Sequence, residues 1–275
     1  MLPSLFLSHG SPMLPLTTAP ARGFLQQLGA GLERPRAILV ASAHWETARP
    51  AVNAVAANAT IHDFFGFPPA LYELRYPAPG APELAGQVAA RLRGAGFATD
   101  IDTGRGLDHG AWVPLLLMYP LADIPVLQVS VQPQLGPVHH LRLGQALAPL
   151  RAEGVLVIGS GSLTHNLGAL RGHGLDDPAP AWVDAFADWC AAALAEGRTD
   201  DLLAYRRLAP FAERNHPTEE HLLPLFVALG AAGEAARARH LHASTTHGVL
   251  RMDVYGFQDA AEVPAHPFNQ PQGEI

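Results

Sequence analysis

Short apolar runs without polar alternation occur at 4–8, 37–43, 125–131 and 155–159. That is the pattern of strands covered on both faces of a sheet. Between them the spacing predicts helices over 20–31, 82–94, 112–118, 137–152, 180–196, 199–205 and 218–230. Weaker strand-like segments fall at 51–57, 97–101, 238–244 and 249–255. This alternation predicts an α/β fold with a central, mostly parallel or mixed sheet flanked by helices. With no internal repeat, linker or composition shift, residues 1–275 read as one domain. The segments 58–80 and 102–111 are long loops, which in a compact domain are usually functional. The first carries His62-Asp63-Phe64-Phe65-Gly66-Phe67, aromatics beside a polar pair. They suit either a flap over the core or the wall of an aromatic site.

Three of the strand-like runs lead directly into a histidine. Leu5-Phe6-Leu7-Ser8 precedes His9, the run 37–43 precedes His44-Trp45, and the run from Val155 leads through Gly159-Ser160-Gly161 to His165. Ligands of open α/β sheets bind beyond the carboxyl ends of the strands. Histidines there converge on one pocket, and imidazole is a ligand for zinc, iron and other divalent metals. A mononuclear metal site at these strand ends is therefore expected.

Composition narrows the chemistry. The net charge is -7 and all 18 basic residues are arginine, scattered along the chain. No basic patch marks a nucleic-acid partner, and the absence of lysine excludes Schiff-base chemistry and a P-loop. Cys190 is the single cysteine, so intrachain disulfides and thiolate clusters are excluded. Its helically spaced neighbours Trp182, Val183, Phe186 and Ala193 make it a buried structural thiol. With no membrane-length apolar stretch and no signal-peptide pattern, a cytoplasmic protein is expected.

The 14 histidines are not equivalent. His139, His140, His173, His240, His242 and His266 read as surface or hydrogen-bonded core residues. His9 and His44 are candidates for a metal or catalytic role, with Trp45 a potential apolar wall. His165 lies between Thr164 and Asn166, either able to fix an imidazole tautomer. His109 follows Asp108, which is placed to orient it. His221, after Glu219-Glu220, falls near a helix start for which Thr218 suits the N-cap. The glycines flanking Ser160 read as a tight strand-to-loop turn rather than a serine-hydrolase elbow.

Eight segments in order carry a family resemblance. They are Ser8-His9-Gly10-Ser11-Pro12, Ser42-Ala43-His44-Trp45, Ile61-His62-Asp63-Phe64, Tyr76-Pro77-Ala78-Pro79-Gly80, Gly106-Leu107-Asp108-His109-Gly110, Met118-Tyr119-Pro120 with Asp123-Ile124-Pro125, the segment 159–166, and Thr218-Glu219-Glu220-His221-Leu222-Leu223-Pro224. The chain resembles the class III extradiol ring-cleaving dioxygenases, in the 4,5-DOPA extradiol dioxygenase-like branch. The resemblance implies metal ligands His9 and His44, with His221 or alternatively Glu220 as the third. It implies acid/base and oxygen-handling roles for His109 and His165, with His165 also a candidate ligand. One divalent metal per chain is implied, Fe(II) for activity with Zn(II) as another bound species. The implied partners are a small aromatic diol and O2. A homodimer is a further expectation. Two other readings stand beside this one. They are a zinc-dependent hydrolase with Glu219 or Glu220 as base, and a non-catalytic metal-binding interaction protein.

Overall fold

The computed structural model describes residues 1–233 and 235–259. His266 and the rest of 260–275 lie outside them. The strands are β1 Ser4–Ser8, β2 Ala37–Glu46, β3 Ala51–Asn53, β4 Asp100–Asp102, β5 Val126–Val131, β6 Val155–Gly161, β7 Ala236–His242, β8 Thr245–Thr246, β9 Leu250–Arg251 and β10 Val254–Asp259. Eight form one sheet in the order β4-β3-β5-β2-β6-β1-β10-β7, and β8 and β9 form a separate hairpin. The four central strands β5, β2, β6 and β1 run parallel. β10 and β7 continue the sheet antiparallel, and β3 pairs antiparallel with β5, so the sheet is mixed.

Burial on both faces explains the unbroken apolar runs. Ile38 and Val40 of β2 face one side, together with Leu5, Leu7, Val126, Leu156 and Ile158. Helices Pro20–Gly31 and His109–Met118 cover that side through Leu25, Leu28, Trp112 and Leu115. Leu39 and Ala41 face the other side with Leu127, Val129, Val155 and Val157. Helices Pro82–Gly94, Gly136–Leu147 and Leu223–Ala232 pack there. Cys190 is fully buried among Phe186, Phe226 and Phe257, in line with a structural thiol. Among the described residues no helix is long and apolar enough to cross a membrane.

Several boundaries differ from expectation. The loop 58–80 contains a short helix, Pro69–Glu73. The helix expected over 218–230 begins at Leu223, because Pro224 sits in its first turn, where a missing N–H costs nothing. Thr218 is therefore not its N-cap; its hydroxyl donates to Glu220 Oε1 at 3.0 Å. The segment 249–255 divides between β9 and the start of β10. His109 opens a helix rather than lying in a loop, with Asp108 as N-cap.

Arg151 is buried and ties the fold together at the sheet's far end. It donates to Leu2 O at 2.7 Å, Ala232 O at 2.6 Å and Ala231 O at 3.2 Å. Arg151→Met keeps the apolar stem and strands these carbonyls. The expected loss is on the order of 3 kcal/mol, measured by urea unfolding.

Candidate metal centre and active site

Two glycines in β6 make room for the site. A Cβ on Gly161 would lie 2.0 Å from His221 O, and one on Gly159 would lie 2.0 Å from Pro224 O. The 221–224 backbone thus lies directly on β6, fixed by Ser162 N–H donating to His221 O at 2.8 Å. The glycines belong to the strand, and their function is this close approach rather than a tight turn. His9 follows β1, His44 lies within the last residues of β2, and His221 arrives over β6 from the opposite end of the sequence.

The three imidazoles meet. His44 Nε2 lies 3.0 Å from His9 Nε2 and 3.2 Å from His221 Nε2. Burial, reinforced by the neighbouring histidines, holds His9 and His221 well below the ordinary imidazole value. His44 is lowered to about 4, chiefly by burial. The rings are therefore neutral at pH 7, and their outer partners choose the tautomers.

Ser160 donates its hydroxyl proton to Gly110 O, so at 3.1 Å it can only accept from His9 Nδ1–H. Gly110 O is free for that bond because Pro114, four residues on, has no N–H to offer it. Glu220 Oε1 accepts from His221 Nδ1 at 2.8 Å. Both rings then turn an Nε2 lone pair toward His44. A single Nε2–H on His44 can satisfy one of these at most, whereas a divalent cation satisfies all three. The donor set fits a metal ion.

His109 stands beside His44, with ring centroids 3.8 Å apart. Asp63, not Asp108, orients it. Asp63 Oδ2 lies 2.9 Å from His109 Nδ1, and Oδ1 accepts the His109 backbone N–H at 2.9 Å. Burial would raise the Asp63 carboxyl, but the hydrogen bonds and charge of His109 bring it down to about 2. Asp108 is instead a buried hub, accepting from Ser42 Oγ at 2.6 Å, Gln128 Nε2 at 2.8 Å and Arg105 at 2.9 Å. Asp63 was legible in the sequence only as a polar residue among loop aromatics.

His165 stacks on His221 at 3.4 Å between centroids and 10° between planes. Burial lowers it to about 4. Its ring nitrogens group with Glu220 and His221 rather than with the trio. Thr164 and Asn166 do not fix its tautomer: they donate to Val249 O and Arg214 O. Glu220 lies behind His221, and Glu219 accepts from Tyr205 at 3.0 Å, so both hydrolase bases are committed elsewhere.

All five imidazoles line one cavity of about 520 Å³, with Phe64, Phe65 and Phe67 from the long loop as its aromatic wall. Phe65 is 93% exposed at the rim, whereas Phe64 and Phe67 also pack against the core, so the segment both covers the core and walls the cavity. Trp45 takes no part. It is buried under the Arg105 guanidinium, 4.8 Å from its ring. Among the remaining histidines, His140 accepts from Gln132 N–H, and His216 Nε2 lies 2.9 Å from Leu163 O. These are packing roles.

An imidazole cluster able to hold a metal ion, in an aromatic-walled cavity at the strand ends of an α/β sheet, points to a metalloenzyme class, and comparison with known proteins gives the family. Residues 3–255 match the model described as the catalytic LigB subunit of aromatic ring-opening dioxygenase, and the chain belongs to that family. It is 48% identical over 256 residues to a 4,5-DOPA dioxygenase extradiol of Beta vulgaris, covering 92% of this chain and 95% of the relative. The relative of the same description in Escherichia coli K12 is 40% identical over 236 residues, 84% and 85% of the two chains. A crystal structure of an uncharacterized protein from Escherichia coli K12 superposes with a TM-score of 0.76 at 33% identity, covering 93% of this chain and 99% of that one. The chain is a catechol ring-cleaving extradiol dioxygenase, an oxidoreductase of a metal-dependent family.

Two predictions arise from this geometry. Gly161→Ala pushes the His221 backbone off β6, so metal stoichiometry, read by anaerobic dialysis and elemental analysis, is expected to fall well below one per chain. Retention of a full equivalent would show that His221 tolerates the displacement. The second concerns pH. His44, His140, His165 and His216 are each lowered by burial to about 4 from the ordinary value of 6.5. The unfolded chain takes up protons in that interval and the folded one does not. Stability of the metal-free protein should therefore decline as pH falls through the window from 6.5 to about 4, and Asp63, held down to about 2, carries the decline further. Urea midpoints across the window check the sign.

Proposed function

We propose that this chain is an iron(II)-dependent extradiol dioxygenase of a substituted catechol of the DOPA type, with His9, His44 and His221 holding the ion. The observation that carries this reading is the convergence of their Nε2 atoms, with that of His44 3.0 Å from His9 and 3.2 Å from His221, beside an aromatic-walled cavity. Iron bound there would supply the electron transfer that lets an aromatic diol react with dioxygen, a capacity zinc lacks. The ring bond beside the two hydroxyls breaks, and both atoms of O2 enter a muconic semialdehyde-type product. Three protein ligands leave room for both reactants.

The chain's own residues handle protons and shape. His109, with Nδ1 2.9 Å from Asp63 Oδ2 and its backbone N–H bonded to Oδ1, serves as a base for a catechol hydroxyl proton. His165, neutral and stacked on His221, faces the cavity from another side and serves as the second proton-handling group. Phe64 and Phe67 hold the aromatic ring and exclude water. We place the whole chain, 1–275, in one catalytic domain. A cytoplasmic location fits its one buried, reduced thiol, and a homodimer is the expected assembly.

The test is dioxygen uptake by protein stripped of metal and reloaded anaerobically with Fe(II), supplied in turn with L-DOPA, catechol, protocatechuate and gallate. Uptake with a visible-absorbing product is expected, absent in His44→Ala. His109→Ala and His165→Ala should each keep the metal and lose on the order of 10²-fold or more in kcat. Metal loss in His165→Ala would make it a ligand instead. No uptake with any diol at full iron occupancy would sink the reading.

A further inference from the structure

Six histidines line the cavity, and the chemistry above gives work to five. The sixth, His247, sits in the turn between β8 and β9. Both His247, at φ 51°, and Gly248, at φ 66°, are in the left-handed region, which a non-glycine residue rarely adopts. The turn is pinned on two sides. His247 N–H donates to Leu175 O at 2.9 Å. Gly248 lies so close to His173 that a Cβ would stand 2.5 Å from its Nδ1. The half-buried ring of His247 is thus presented to the cavity from a fixed backbone. Among the described residues it has no hydrogen-bond or ion-pair partner.

The rest of the lining offers little to an anion. The chain has no lysine, and no arginine lines the cavity. Arg105 is bound to Asp108 and His44 O, and Arg75 to the Leu74 carbonyl. Ser162 donates to Thr164 O. Ser11, which receives Met13 N–H, is a neutral hydroxyl. Asp63 is the cavity's one carboxylate and is held by His109. His247 is the remaining imidazole with no partner, free to donate a ring N–H to an anionic group, and Leu167, Leu170 and Leu250 line the cavity with it. Such a wall suits a short methylene chain ending in a carboxylate.

We propose that His247 is a specificity-determining residue that binds the carboxylate of the catechol's ring substituent, so that the site prefers carboxylate-tailed catechols over neutral or cationic ones. The proposal rests on the ring-cleaving activity and adds to it the part of the substrate remote from the diol. The test measures KM and kcat for 3-(3,4-dihydroxyphenyl)propionate, dopamine and 4-methylcatechol on the iron-loaded enzyme. His247→Gly removes the imidazole and relieves the turn's backbone, and His247→Arg supplies a different N–H donor for a carboxylate in its place. In His247→Gly the KM for the propionate should rise about tenfold with kcat nearly unchanged, while the other two substrates keep their values. His247→Arg should restore the low KM. Equal shifts for all three substrates, or no shift for the propionate, would overturn the assignment. Turnover of uncharged 4-methylcatechol reports ring cleavage separately, so loss of the underlying activity is distinguishable from loss of carboxylate recognition.

Discussion

Three imidazole lone pairs must be held face to face, neutral and out of water, and much of the surrounding structure serves that constraint. Without a cation such an arrangement is repulsive, so it persists only where the scaffold fixes each ring from behind. For His9 the fixing chain runs across the fold. Pro114 cannot bond Gly110 O, that carbonyl takes the Ser160 proton, and Ser160 is left able only to accept from His9 Nδ1. A helix-interior proline, ordinarily a defect, thereby helps decide the tautomer of an imidazole on a different element. For His221 the same task falls to the adjacent Glu220.

The remaining site groups are arranged around that trio by rigid parts of the fold. Asp108, fully buried, binds β2 through Ser42, β5 through Gln128 and its own helix through Ala111. A carboxylate that deep is tolerable because each oxygen meets donors. The hub sets the helix start from which His109 projects, while Asp63 reaches in from the long loop to hold the ring. Asp108 thus fixes the scaffold while Asp63 meets the His109 ring, an assignment set by spatial contact and not by sequence adjacency. The loop that brings Asp63 also brings the aromatic wall, so the carboxylate beside His109 and the aromatic lining of the cavity come from one segment.

Much of the fold and most of the site could be read from the sequence. Unbroken apolar runs foretold strands buried on both faces, because a parallel sheet covered by helices leaves no polar side to alternate with. Histidines at the ends of such strands foretold convergence, since parallel strands deliver their carboxyl ends to one edge; His9 and His44 follow from that rule alone. Residues whose role depends on a partner distant in the chain were not legible. Gly159 and Gly161 look like turn glycines until the 221–224 backbone is laid on them. Asp108 looks like the orienter of His109 until Ser42, Gln128 and Arg105 claim it. His247 carries no local signal, as its place in the cavity depends on a two-strand hairpin pinned to the 173–175 segment. The sequence by itself therefore determined the layer architecture, the family and the identity of the converging imidazoles, because periodicity and strand-end position are local properties of the chain. The tertiary structure alone decided which nitrogen of each ring faces inward, which carboxylate serves which histidine, and which side chains were left unspent in the cavity. Those outcomes depend on donors and acceptors pairing across distances in the chain that no local pattern encodes.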